Sequence, residues 1–481
     1  MSLDASMFLS ILPQILLVVL GAVVLVLELI LPEEHQRNIG WVTAIGTGII
    51  LLLSIPARPD AESAELVWGG MLRHDWLSYT FTMLVIFGAG ITALFAMDYK
   101  ELGSRGGFFV LLIASTLGMA FMVSAADLIT LYVAIETTAI PLYILAGFFV
   151  MRDDSTEAGF KYFLFGALTS AVLLYGFSLL FGFSGTTNIY QIANNLQNTS
   201  LPTGALVGTL LLVLVGFSFK ISGVPFHFWA PDVYQGAPTP VTGFLSTASK
   251  AAGFAVLARV LLVVYPDISL QWGAVLAAMA VATMTLGNLL AISQKNIKRM
   301  LAYSSIAHAG YALIGLVAIS RIGISSMVLY LIVYLVTNLA AFGIITIYSR
   351  TVGSDDMTAY YGMSRRSPWL AIALLVAFLS LAGMPPLGGF IAKVYVFAAA
   401  VDANMIWLAI IGVINAIFGL YYYLTVLKYV YLFRSEDEDK PITITRPMKL
   451  AITVLTVGII LLGTIFGPWF DWVTTTATAV F

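Results

Sequence analysis

Residues 216–229 read GFSFKISGVPFHFW, from Gly216 to Trp229. The stretch lies in an apolar run long enough to cross a membrane, yet it carries Lys220, interrupts itself at Gly223 and Pro225, and adds His227. An ionised side chain at mid-membrane costs about 2.5–3.5 kcal/mol on insertion scales. Proline removes a backbone donor and crowds the preceding turn. In lipid, carbonyls freed in this way persist only where protein or a water-filled cavity satisfies them. The stretch therefore reads as a helix broken inside the membrane, with Lys220 just before an unwound, hydrated segment.

The rest of the chain sets the same scene. Of 481 residues, 60% are hydrophobic and 10% charged, where soluble domains are about a quarter charged. Apolar runs of roughly 16 to 30 residues each suffice to cross ~30 Å of hydrocarbon as helices. A transmembrane barrel would show ~10-residue alternating segments instead. A net charge of −2 gives no footprint for nucleic acid. The absence of cysteine excludes disulfides, thiolate-held zinc and cysteine-ligated iron–sulfur clusters. The N-terminal MSLDASMFLS has no basic segment before its apolar run, so it reads as the start of a permanent first helix.

Fourteen spans are expected, at 11–31, 40–55, 76–97, 107–123, 127–150, 158–183, 204–226, 241–264, 270–292, 300–320, 324–348, 368–400, 404–433 and 448–470. The longest connections are Pro56–Asp75, Ser184–Thr203, Ser349–Ser367 and the acidic SEDEDKP link. Fourteen loop cations fall on one side: Arg37, Lys100, Arg105, Arg152, Lys295, Lys298, Arg299, Arg350, Arg365, Arg366, Arg434, Lys440, Arg446 and Lys449. Arg58, Arg73 and Arg321 fall on the other. Cytoplasmic loops carry the excess of Lys and Arg, so both termini are expected on the outer face.

Of the 23 lysines and arginines, six remain within spans: Lys161, Lys220, Lys250, Arg259, Lys393 and Lys428. Glu28, Glu136, His227 and His308 join them. Some admit an ordinary structural role. Lys428, near the end of span thirteen, can snorkel to the interface. Glu28 is one turn from a helix end. Arg259 fits either an interfacial anchor or a buried ion pair, and Lys161 either pairs with Glu136 or holds an interface. Glu136, Lys220, Lys250 and Lys393 lie about two turns or more inside their spans. Burial favours a neutral amine and a nearby carboxylate favours an ammonium, so moving a carboxylate can load or release a lysine proton. His227 beside the break, and His308 in YSSIAHAGY, can link such groups through water; a lone buried His is otherwise a satisfied core residue. These groups make a chain of proton holders across the protein. The sequence carries no phosphate-binding loop, dinucleotide fingerprint or HExxH motif, so it points to moving ions rather than breaking bonds.

Span twelve contains the second break, in LAGMPPLGGFIAKVYVF, where Gly383, Pro385 and Pro386 come first and Lys393 follows about two turns later. Spans seven and twelve are five apart, and an odd offset inverts topology, as in the inverted repeats of transporters.

KISGVPFHFWAPDVYQGAPTPVTGFLSTASKAAG, SLAGMPPLGGFIAKVYVF and DLITLYVAIETTAIPLY together resemble the antiporter-like membrane subunits of respiratory complex I, which are related to subunits of Mrp-type sodium/proton antiporters. The resemblance covers nearly the whole chain. It implies an all-α polytopic membrane protein with three N-terminal helices (1–106), a first five-helix repeat (107–264), an inverted second repeat (265–433) and a C-terminal helix (434–481). Glu136 matches the family's helix-five glutamate, Lys220 the helix-seven lysine it pairs with, and Lys250 the connecting lysine on helix eight. Lys393 occupies the helix-twelve exit position, a glutamate in one sibling. A lysine there, with no long lateral helix after helix fourteen, is similar to one branch of the family. In that setting the chain binds no cofactor itself. NADH, FMN, iron–sulfur clusters and quinone belong to other subunits, and quinone reduction there drives proton transfer here. The implied partners are other membrane-arm subunits, including antiporter-like siblings, and lipid, in a bacterial plasma membrane. Two other readings stand beside this one: a subunit of a multi-subunit cation/proton antiporter, and a structural scaffold with relic charges.

Overall fold

In hydrocarbon every backbone group must be satisfied within its own segment, so long apolar runs become helices. A computed structural model describes residues 5–60, 64–197, 201–437 and 439–479. Residues 1–4 of the N-terminal stretch, 61–63 and 198–200 of the long connections, Glu438 of the acidic link and the Lys100 side chain lie outside the described residues.

A helix overlaps each of the expected spans. They are α1 (Leu12–Ile30), α2 (Arg37–Leu53), α3 (Trp76–Ala96), α4 (Gly106–Ser124), α5 (Leu128–Ala146), α6 (Asp153–Ser184), α7a (Thr203–Ile221) with α7b (Trp229–Gly236), α8 (Thr239–Val264), α9 (Pro266–Ile292), α10 (Ile297–Val317), α11 (Arg321–Val352), α12a (Pro368–Ala382) with α12b (Gly388–Asp402), α13 (Ile406–Leu432) and α14 (Arg446–Thr464). Among the described residues twelve helices are long and apolar enough to cross a membrane; α2 and α12a are shorter apolar helices. Polar caps fix several starts: the Asp127 carboxylate accepts from the N–H groups of Ile129 and Thr130, Asn296 from Arg299, and Ser320 from Gly323.

The helices α3, α8, α10 and α11 are almost wholly buried, whereas α1, α6, α9 and α13 turn apolar rows outward, such as Phe160, Phe163 and Leu168 on α6. That outward belt suits lipid tails, and the protein is a multi-pass membrane protein.

Four local features go beyond the expected spans. The segment after Pro225 is not a loop, because Trp229–Gly236 is helical. The last span stops at Thr464, and α15 (Gly467–Thr478), begun by Pro468, turns back onto α3. There Trp472 meets Trp76 edge-on at 5.1 Å and donates from Nε1 to Thr80 Oγ1 at 3.0 Å. A short antiparallel hairpin, β1 (Glu65–Val67) with β2 (Leu72–His74), sits in the connection before α3. Finally, α5 runs unbroken past Pro141.

Arg259 resolves as a buried ion pair rather than an anchor. Its guanidinium holds both oxygens of Asp75, at 2.7 and 2.9 Å, and reaches Ser78 Oγ at 3.0 Å and the Val123 carbonyl at 3.3 Å. Asp75 in turn caps α3 through the Ser78 N–H. Burial alone would raise the Asp75 carboxyl, but Arg259 outweighs it and holds the group below its ordinary value. A depressed carboxyl contributes stability above its unfolded value, about 3.9, and loses it as pH falls through the folded value. Lys428, by contrast, is exposed with its Nζ 5.6 Å from the Phe433 ring, as a snorkelling residue would be. Glu28 is half-buried.

Two outcomes follow for stability. Removing one partner of a buried pair costs about 3–5 kcal/mol. Asp75→Asn should therefore lower the thermal midpoint in detergent sharply, and an unchanged midpoint would show that the pair contributes nothing. At Gly389 an added Cβ would lie 1.7 Å from the Ser380 carbonyl oxygen, whereas Gly467 has open space around it. Gly389→Ala should cost about 1–3 kcal/mol or more in the same assay, and Gly467→Ala next to nothing.

Candidate functional site

The first break is built by its own backbone. At the end of α7a Ser222 adopts a left-handed conformation (φ 59°), and the Gly223 N–H reaches back to the Ser218 carbonyl at 2.8 Å. The helix thus ends one residue before Gly223, on a serine, at a conformational cost of roughly 1–2 kcal/mol. Side chains from elsewhere satisfy what the break frees. The Val224 N–H donates to Thr283 Oγ1 of α9 at 3.0 Å, and Trp229 Nε1 to the Phe219 carbonyl at 3.1 Å.

Lys220 sits in the last turn of α7a, 9% exposed, and its ammonium has no hydrogen-bond partner among the described residues. Gly253 of α8 lies against its backbone, where even a Cβ would come within 3.4 Å of the Lys220 Cβ. Glu136 is half-buried on α5 and accepts from the Ser170 hydroxyl of α6. It is beyond ion-pair distance from Lys220 but near enough to act on it electrostatically.

Lys161 does not meet Glu136. Ser170, which does, lies nine residues farther along α6, about 14 Å at 1.5 Å per residue. Lys161 pairs instead with Glu157 at 2.7 Å and Asp232 of α7b at 2.6 Å, and Asp232 also holds Arg299 of α10 at 2.6 Å. Lys161 therefore pins α7b to α6, at the cation-rich end of the helices.

The second break has the same grammar with different parts. Gly383 takes the left-handed position (φ 87°), and a cis proline bond follows two residues on, as it does after Ser222. Lys393 reaches back from α12b, donating to the Leu381 and Ala382 carbonyls at 2.9 and 3.0 Å. It therefore covers the open end of α12a, where the helix dipole favours a cation.

Between the breaks, Lys250 begins a helical turn directly after a π-helical segment, Leu245–Ser249; such bulges recur at functional sites. Its ammonium donates to the Ser305 carbonyl at 2.7 Å and Ser305 Oγ at 2.6 Å, on α10, and lies 5.9 Å from the Tyr334 ring centre on α11. His308, one turn along α10, stacks on Tyr334 at 5.0 Å, with Nδ1 2.7 Å from the Tyr330 hydroxyl and Nε2 3.2 Å from that of Tyr423. His308, Tyr330, Tyr334 and Lys393 line one cavity of about 10 Å³, room for roughly a single water. Lys393 also lies 5.0 Å over the Tyr311 ring.

The structure thus brings Lys250, His308 and Lys393 together, holds Glu136 and Lys220 as a spaced pair, and leaves His227 apart in the first break. His227 Nδ1 is buried with no partner among the described residues. Sequence reasoning missed Asp232, hidden on the unrecognised half-helix, and Lys298. The latter is not a loop cation but is buried in the first turn of α10, donating to the Ala237 carbonyl at 3.0 Å. Among the described residues no group of three or more His, Asp or Glu converges as a metal cage.

One contrast sorts the buried cations. Arg259 faces a carboxylate in bidentate contact, whereas Lys220, Lys250 and Lys393 have no carboxylate within ion-pair distance among the described residues. A paired, always-charged guanidinium is a clamp. Lysines cradled only by neutral oxygens, or by nothing, are groups that can lose a proton.

A sequence model described as "NADH:quinone oxidoreductase/Mrp antiporter, TM" matches residues 125–419. NADH-quinone oxidoreductase subunit N of Moorella thermoacetica is 42% identical over 452 residues, 94% of each chain. A chain of respiratory complex I from Thermus thermophilus is 32% identical with a TM-score of 0.80, over 95% of this chain and 98% of that one. A chain of the Mrp complex from Dietzia sp. DQ12-45-1b superposes with a TM-score of 0.86 at 21% identity, covering 99% and 98%, a likeness of fold. The chain belongs to the family of antiporter-like membrane subunits shared by NADH:quinone oxidoreductase and Mrp antiporters.

Proposed function

We propose that this chain is a proton-translocating membrane-arm subunit of an NADH:quinone oxidoreductase. The observation that carries the reading is the series of buried lysines without carboxylate partners, laid between two broken helices. The 42% identity to a relative named as subunit N supports this assignment over the cation/proton antiporter, to which the likeness is one of fold. It also supports the subunit N branch singled out by the lysine at position 393.

In this reading α4–α8 and α9–α13 are two inverted five-helix units, joined where Lys250 meets α10. The face rich in loop cations is cytoplasmic and both termini are outside. NADH, FMN, iron–sulfur clusters and quinone act in other subunits, and quinone reduction moves charge along the membrane arm.

Within this chain the steps are proton transfers. Glu136 near Lys220 favours the ammonium, and withdrawing or neutralising that carboxylate favours release. The freed proton passes towards Lys250 on the adjoining helix, with His227 beside the break as a second holder. Lys250 is held by a carbonyl and a hydroxyl, bonds worth about 1.5–3 kcal/mol to a charged group, firm enough to position the amine and weak enough to let the proton leave. His308, between the hydroxyls of Tyr330 and Tyr423, bridges Lys250 and Lys393. Lys393 is the last holder, its ammonium stabilised by the α12a carbonyls. Lys161 acts from outside this line, by fixing α7b through Asp232.

In the assembled complex, Lys220→Ala should lower both coupled quinone reduction and proton pumping several-fold, as should Glu136→Gln. Normal pumping by Lys220→Ala, with this chain present in the complex, would refute the mechanism. Lys161→Gln should lower activity less and should also lower thermal stability, because it loosens an ion-pair network rather than removing a proton holder.

A further inference from the structure

Between α9 and α13 a cavity of about 450 Å³ opens beside Lys295 and Asp356, on the cation-rich face, and runs inward past Thr425 to Tyr422. Tyr422 lies ten residues from the end of α13, about 15 Å along the helix, and its partner Asn288 lies one turn from the end of α9. Beyond Tyr422 the polar contacts continue. The Tyr422 hydroxyl donates to Asn288 Oδ1 at 3.0 Å, and its ring lies 4.5 Å from that of Tyr423, centre to centre. The Tyr423 hydroxyl meets Ser304 Oγ and lies 3.2 Å from His308 Nε2. On the other side of the imidazole, Nδ1 is 2.7 Å from Tyr330, which lines the small cavity shared with Lys393.

We propose that Tyr422 and Tyr423 form a second proton inlet, which carries protons from the cation-rich face through this cavity directly to His308 and so to Lys393. The inference rests on the proton-translocating reading above and adds to it a route that bypasses Glu136, Lys220 and Lys250. The transfers balance. A proton arriving at the Tyr422 oxygen frees that hydroxyl's own proton, held on Asn288 Oδ1 at rest, to turn towards and pass to Tyr423. Tyr423 passes its proton to Nε2 of His308, and Nδ1 releases one towards Tyr330 and the cavity of Lys393. One proton enters and one leaves; the imidazole ends as its other tautomer with the hydroxyl protons turned, and reorientation of the ring and hydroxyls restores the starting state before the next transfer. Asn288 positions the first hydroxyl: its amide nitrogen donates to the Met284 carbonyl at 3.0 Å and to the Tyr311 hydroxyl at 3.1 Å, which aims Oδ1 at Tyr422.

The alternative occupant of the cavity is lipid, since Tyr421 on its wall is exposed on the outer surface of α13. The chain has no cysteine, so a single introduced thiol reports on it alone. In membrane vesicles holding the intact complex, Thr425→Cys should be labelled by a sulfonate-bearing methanethiosulfonate from the same face as Lys295→Cys. A Thr425→Cys chain that stays unlabelled while Lys295→Cys reacts would mean the cavity is lipid-filled, and the inlet would be overturned. In reconstituted complex, Tyr422→Phe and Tyr423→Phe keep the rings and should each lower protons pumped per NADH oxidised several-fold. If both pump normally while Lys393→Ala does not, the inlet is wrong and the functional reading survives. If Lys393→Ala pumps normally as well, the functional reading itself falls.

Discussion

Two helices break inside an apolar slab, and each backbone group released there must find a partner within the protein. The structure depends on how that demand is met. At the α7 break the partners are neutral: the Trp229 indole, the Thr283 hydroxyl and the backbone of the turn. At the α12 break the partner is the Lys393 ammonium, which folds back onto the two last carbonyls of α12a. One break therefore leaves its lysine, Lys220, without a hydrogen-bond partner among the described residues, while the other uses its lysine as a cap. The two breaks share a geometry and differ in how they hold their lysines.

That difference gives the buried charges a direction. Lys220 answers to Glu136 across a gap, so its charge state is open to any movement of α5 against α7a. Lys250 is fixed by Ser305, and Lys393 by a helix end and the face of Tyr311. Between them His308 has a hydroxyl at each ring nitrogen. The cations given rigid carboxylate partners are elsewhere: Arg259 with Asp75 at the head of α3, and Lys161 and Arg299 with Asp232. These clamps hold α3, α6, α7b, α8 and α10 in register, and the proton holders lie among the elements they fix.

Much of this was legible in the sequence because charge in a long apolar run is costly and proline in such a run needs a cause. Those two facts isolate Lys220, Lys250, Lys393, Glu136 and both breaks, and family resemblance adds the pairing of Glu136 with Lys220. What stayed hidden lacks such a contrast. Asp232 lies in a Pro- and Gly-bordered segment that reads as loop, so its half-helix and its grip on Lys161 are invisible until the fold brings α6 and α10 beside it. Lys298 follows a loop and counts as a loop cation, although the first turn of α10 is buried. Asp75 and Arg259 are 184 positions apart, and no periodicity links them. Tyr330, Tyr422 and Tyr423 read as apolar bulk, because their hydroxyls matter only once His308 is placed among them.

The central claim is that protons cross the middle of this chain on lysines with no fixed counter-charge, and Lys250 is where the two halves meet. The most direct measurement is the number of protons pumped per NADH oxidised by the reconstituted complex carrying Lys250→Met, a change that keeps much of the side-chain volume. The account predicts an assembled complex with that ratio clearly reduced. An assembled complex with an unchanged ratio would contradict it and leave the buried lysines as structural features alone.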